Sequence, residues 1–207
     1  MFDTTCQFPL CGQRTVVHVL RAENRKIVTM IHLCQSHARS HFQDERDWYE
    51  SVSRVGKGKP ATKGNGIAFD VDYLLWDETL DMPWGRHYVN LIEVGGIRRL
   101  GFPIGVEASS ALSFALHRSQ ARRPMTHQAM AQLIASLGGI LQSVEIDKFS
   151  PAEQIYEAKL HIRQMKTDMD VDLRPSDAIV LSLVCDVPII VSPIVLAALD
   201  KHYSPPC

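Results

Sequence analysis

A chain of 207 residues, 45% of them hydrophobic and 22% charged, is long enough to bury a sizeable core, and it has no apolar run near the ~18–20 residues that span a bilayer. Its start, MFDTTCQFPLCG, lacks the basic-then-apolar pattern of a secretory signal, so a soluble, cytoplasmic protein is expected. The net charge of −1 hides an asymmetry: residues 1–65 hold ten Lys/Arg and six Asp/Glu, residues 66–207 twelve and seventeen, which excludes a broad basic nucleic-acid footprint on the larger part.

Two β-rich runs come first, Thr15–Leu20 and Lys26–Leu33, joined by the polar Arg21–Arg25 as a hairpin without a tight-turn dipeptide. Ser36–Ser51 reads as a charged helix. The stretch SRVGKGKPATKGNG, with almost nothing apolar, reads as a flexible linker. The expected division is therefore a small module at 1–52, a linker at 53–65 and a main domain at 66–207. In that domain Ile67–Trp76, His87–Val94 and Arg98–Ile104 read as strands, with Gly95-Gly96 a hairpin turn. Helices follow at Ala108–Ser119 and Thr126–Leu137, the second with Thr126 as N-cap and Gly138-Gly139 as its stop. Leu141–Phe149 and Ile155–Met165 form a strand pair, and Val171–Leu173 a short strand. Helix Pro175–Val184, strand Ile189–Val191 and a helix over Pro193–Lys201 complete the chain. Strands grouped before helices predict an α+β fold with a mixed or antiparallel sheet. Trp48, Trp76 and Trp84 read as packing anchors.

The cysteines at 6, 11, 34, 185 and 207 are odd in number, which argues against a disulfide framework. Cys6 with Cys11, and Cys34 with His37, instead make two close pairs separated by the hairpin, the arrangement a tetrahedral structural Zn²⁺ site needs. So small a segment has too little core to fold unaided, which favours metal over the alternative of buried thiols and surface histidines. His18, His32 and His41 are spare donors. Together with Val17, Val19 and Leu33, the pattern resembles small bacterial zinc-ribbon modules, and such a module can dock a protein partner.

Two later segments echo each other: Arg122-Arg123-Pro124-Met125-Thr126-His127 and Leu173-Arg174-Pro175-Ser176-Asp177-Ala178. Each sets Arg-Pro at a helix start, where unpaired N–H groups and the positive dipole end favour anions and an arginine fork can grip phosphate. The alternative is plain capping by Thr126, Ser176 or Asp177. The acids Asp168, Asp170 and Asp172 alternate as on the solvated face of a strand, yet carboxylates beside an anion site are also what a divalent-metal phosphodiesterase uses.

From Pro103 to Val191 the sequence resembles the bacterial and plant bifunctional nuclease family, through Ile104-Gly105-Val106-Glu107-Ala108, Arg123-Pro124-Met125-Thr126-His127, Asp172-Leu173-Arg174-Pro175-Ser176-Asp177-Ala178-Ile179 and Pro188-Ile189-Ile190-Val191. The resemblance implies cleavage of both DNA and RNA, at a site drawn from Glu107, Arg123, His127, Asp172, Arg174, Ser176 and Asp177. His127 would act as general acid or base, since imidazole titrates near neutrality. Glu107, Asp172 and Asp177 would hold Mg²⁺ or Mn²⁺, with Arg123, Arg174 and Ser176 on the phosphate. Where the family pattern carries an acid after Thr-His, this chain has Gln128. That replacement, with the acidic balance of the large domain, keeps a rival open: a non-catalytic anion- or partner-binding regulatory module on the same fold. Self-association is expected under either reading.

Overall fold

Apolar residues at every second position set the strands, and the computed structural model pairs them into one mixed sheet. It describes residues 5–7, 11–13, 17–34, 36–37, 62–63, 66–77, 87–96, 98–118, 122–153 and 155–203. Residues 38–61, which hold most of the expected helix and linker, and Trp48 and Trp84, lie outside the described residues.

The strands are β1 (Val17–Glu23), β2 (Lys26–Leu33), β3 (Thr62–Lys63), β4 (Gly66–Asp77), β5 (His87–Glu93), β6 (Arg99–Ile104), β7 (Gly139–Ser150), β8 (Ile155–Gln164), β9 (Thr167–Leu173) and β10 (Ile189–Val191). Their order is β2-β1-β4-β10-β7-β8-β9, with β3 and β5 also on β4 and β6 beyond β5. All pairs are antiparallel except β10 with β7. The α+β expectation holds.

Two features depart from the sequence reading. The expected five-residue connection Arg21–Arg25 is a two-residue turn, Asn24-Arg25, with φ of 49° and 60°, so the strands run on to Glu23 and start at Lys26. Both residues are left-handed, as a type I′ turn requires. The expected short strand Val171–Leu173 extends back to Thr167, because Met169 and Asp170 pair with Ile162 and His161.

β1 also pairs with β4, in register from Val17 with Asp77 to Arg21 with Tyr73, so the N-terminal hairpin continues the sheet of the large domain. Its side chains follow: Leu20 and Ala22 join the main core, while Val17, Val19, Leu33, Cys6 and Cys34 pack with Tyr88 of β5 in a second one.

Four helices of the described residues complete the fold: α1 (Val106–Leu116), α2 (Thr126–Ser136), α3 (Pro175–Cys185) and α4 (Pro193–Tyr203). α3 is the central one. Its consecutive residues Ala178–Ser182 are all buried, as expected of a helix covered all round, and it packs against α1, α2, β7 and β8. α1 presents Ala108, Leu112 and Leu116 at helical spacing; truncating the fully buried Leu112 would cost about 2–5 kcal/mol. No described helix is long and apolar enough to cross a membrane.

Candidate phosphate cleft and metal cluster

At the N-terminal cluster the four expected donors meet. Cys6 Sγ lies 3.4 Å and Cys34 Sγ 3.3 Å from His37 Nδ1, Cys11 Sγ is 3.6 Å from Cys34 Sγ, and all four donor atoms lie within 4.8 Å of one another. A tetrahedral zinc with Zn–S of about 2.3 Å holds its sulfurs about 3.8 Å apart, so the cluster can hold such an ion with little rearrangement. Hydrogen bonds from the Ser36 hydroxyl and the His37 backbone hold the Cys34 thiol down at about 6, which favours the thiolate that a metal takes. Of the spare donors, His18 and His32 lie outside the set and face each other, Nδ1 to Nδ1, at 2.7 Å, and His41 lies outside the described residues.

In the large domain the packing of α1 and α2 on α3 brings three helix starts to one open cleft of about 720 Å³. It is lined by Gly105 and Glu107 from α1, Met125, Thr126 and His127 from α2, and Arg174, Ser176 and Asp177 from α3. The N-cap residues are Gly105, Met125 and Arg174, and none supplies a side-chain cap. The expected capping by Thr126 is thereby corrected, since it occupies the first helical position instead. Three positive dipole ends share one opening, an arrangement suited to a polyanion.

The cleft has a hydrogen-bonded centre. His127 and Asp177, fifty positions apart, meet with Nε2 3.1 Å from Oδ1. Their side chains are 13% and 14% exposed. Arg174 Nε donates to the other Asp177 oxygen at 2.7 Å, with its own side chain 83% exposed. Each carboxylate oxygen of Asp177 thus has one partner, and the rest of the Arg174 fork points to solvent. A neutral imidazole that keeps its proton on Nε2 and donates that N–H to Asp177 carries its lone pair on Nδ1, which has no partner among the described residues.

Two expected members do not join this group. Asp172 sits on β9 in register with Lys159, on the sheet face where Arg163 pairs with Asp168 and His161 with Asp170; the next residue, Leu173, faces the cleft. The period of two that separates Asp172 from Leu173 is the physical reason. Arg123 is exposed and does not line the cleft. The three acids expected to share a divalent ion therefore do not meet. Gln128 plays a local part: its Oε1 accepts the Met125 N–H at 3.0 Å, the return half of a capping box.

Sequence reading missed the contribution of Gly105 and the start of α1 as a third dipole, and it missed a neighbouring pocket of about 340 Å³ on the far side of His127. One wall of that pocket is Arg25, from the β1–β2 turn. It donates to the carbonyls of Ser182 (3.3 Å) and Val187 (2.9 Å) and pairs with Asp186 (3.4 Å) and Asp70 (3.3 Å). No local signal marks a contact across more than 150 positions.

Among known proteins, two curated chains of Mycobacterium tuberculosis are similar, Rv1829 of strain H37Rv and MT1877 of strain CDC 1551, both described as uncharacterized proteins. Each is 31% identical over 118 residues, which is 57% of this chain and 69% of the relative. The family model described as the bifunctional nuclease domain matches residues 89–203, a span that includes all three helix starts of the cleft and leaves the Cys/His cluster outside. The chain belongs to the bifunctional nuclease domain family.

Proposed function

We propose that this protein hydrolyses phosphodiester bonds in DNA and RNA, with little sequence preference, at the cleft where α1, α2 and α3 begin. The observation that carries the reading is the His127–Asp177–Arg174 chain set among three helix starts. Backbone amides and the exposed Arg174 fork grip phosphate oxygens, which are the same at every nucleotide; this is why little sequence preference follows. Asp177 fixes the imidazole with Nε2 protonated, so Nδ1 takes the proton of the attacking water. The water oxygen bonds to phosphorus, the bond to the leaving nucleoside oxygen breaks, and that oxygen recovers a proton from the imidazolium. The dipoles and Arg174 stabilise the extra negative charge of the transition state. Glu107 and Asp177 are the carboxylates of the cleft, and with Asp172 on the other sheet face no step is routed through Mg²⁺ or Mn²⁺. In the N-terminal cluster we propose structural Zn²⁺: four protein donors leave no open position for chemistry.

Arg174→Ala is expected to lower hydrolysis of single-stranded DNA and RNA about 100-fold in purified protein that melts at the wild-type temperature. An unchanged rate would remove Arg174 from the site. One observation favours the second reading, an anion-binding module without cleavage: Gln128 stands where the family pattern carries an acid and is spent on capping Met125. Salt-sensitive binding with no turnover, converted to turnover by Gln128→Asp, would select that reading.

A further inference from the structure

The pocket beyond His127 is mixed in character. Phe114, Ala115, Leu183 and Val184 give it an apolar wall, while Arg118 and His127 bring polar groups to its edge. Its volume of about 340 Å³ is at the small end of the range for small-molecule sites, room for about one nucleoside. Arg25 also reaches the wall, but its guanidinium is committed to Asp70, Asp186 and two carbonyls. Arg118 has no ion-pair partner among the described residues and is the cation left for a ligand.

His127, Met125 and Ala111 line both openings, so the pocket and the cleft share a wall. A strand whose phosphate sits beside His127 and Arg174 therefore has a base-sized recess with one apolar wall next to it, with a second guanidinium, Arg118, at that recess. Bases stacked and paired inside a duplex enter such a recess only at the cost of being unpaired and unstacked, whereas unpaired bases can be splayed out and packed on aromatic and apolar side chains. Resting on the phosphodiester reading of the cleft, we infer that the substrate is single-stranded nucleic acid, one nucleotide of which seats its base against Phe114 while Arg118 holds the adjoining phosphate.

Binding of the full-length protein to phosphorothioate-linked oligonucleotides, which resist cleavage, separates the possibilities by fluorescence anisotropy. A single-stranded oligonucleotide is expected to bind about ten-fold tighter than an abasic strand of equal length, and tighter than the same sequence as a duplex. Ala115→Leu, which fills the recess, and Phe114→Ala, which strips its wall, should each erase the advantage of bases while leaving the abasic strand's affinity unchanged. Equal binding of base-bearing and abasic strands by the wild type, or equal binding of duplex and single strand, overturns the base recess and leaves the phosphate cleft standing. Failure of every strand to bind, with no hydrolysis of natural substrates, overturns both.

Discussion

Asn90, on β5, has 1% of its surface exposed, and neither its amide oxygen nor its amide nitrogen has a hydrogen-bond partner among the described residues. A buried, unpartnered amide costs about 1–3 kcal/mol, so Asn90→Leu, which keeps the branched shape and number of heavy atoms, should raise the melting temperature. A lowered melting temperature would mean that the amide is satisfied, as by a buried water. Gly96 shows the opposite economy: a Cβ there would sit 2.2 Å from the Glu93 carboxylate, whose two oxygens accept from Arg98 at 2.7 Å each. The turn Gly95-Gly96 was legible in sequence, and its glycines have separate reasons. Gly95 takes φ +74°, while Gly96 makes room for the Glu93–Arg98 pair.

At the scale of elements, legibility tracked how local the cause was. Arg174-Pro175-Ser176-Asp177 marks a helix start because proline and polar groups suit a first turn, and α3 begins there. The alternation Asp168, Asp170, Asp172 indicated a solvated strand face, and β9 places them on one. The convergence of three helix starts on one cleft was not legible, since it arises from the packing of α1 and α2 on α3. Nor was the Asn24-Arg25 turn, because arginine disfavours the left-handed region and the compensation lies on α3 and β4. Burial pushes the Asp70 carboxyl upward against the pull of Arg25, so removing the arginine strands a half-buried acid. Arg25→Ala should therefore destabilise the protein by about 2–3 kcal/mol. Arg25→Gly loses the same contacts but relieves the turn, and should be about 1 kcal/mol less harmful in denaturant unfolding. Equal or greater damage by glycine would refute the strained-turn account.

Across the whole molecule, the hairpin that carries the Cys/His cluster is also the strand pair that extends the sheet through β1 and β4, and its small core includes Tyr88 of β5. Metal bound at the cluster is thereby linked to the stability of the sheet. Stripping the metal with a chelator should lower the melting temperature of the entire chain by about 5–15 °C within one cooperative transition. A sheet transition that ignores the chelator, with early melting confined to the N-terminal residues, would instead establish the module at 1–52 as an independent unit.

The chemistry proposed for the cleft rests on His127 and Asp177 acting as one device. A mutant cycle measures that directly: single-turnover hydrolysis by the wild type, His127→Ala, Asp177→Asn and the double variant, each checked for an unchanged melting temperature. The account predicts a loss of about 100–10,000-fold in His127→Ala, a large loss in Asp177→Asn, and a double variant no worse than His127→Ala alone. Wild-type turnover in either single variant, or losses that multiply in the double, would contradict it.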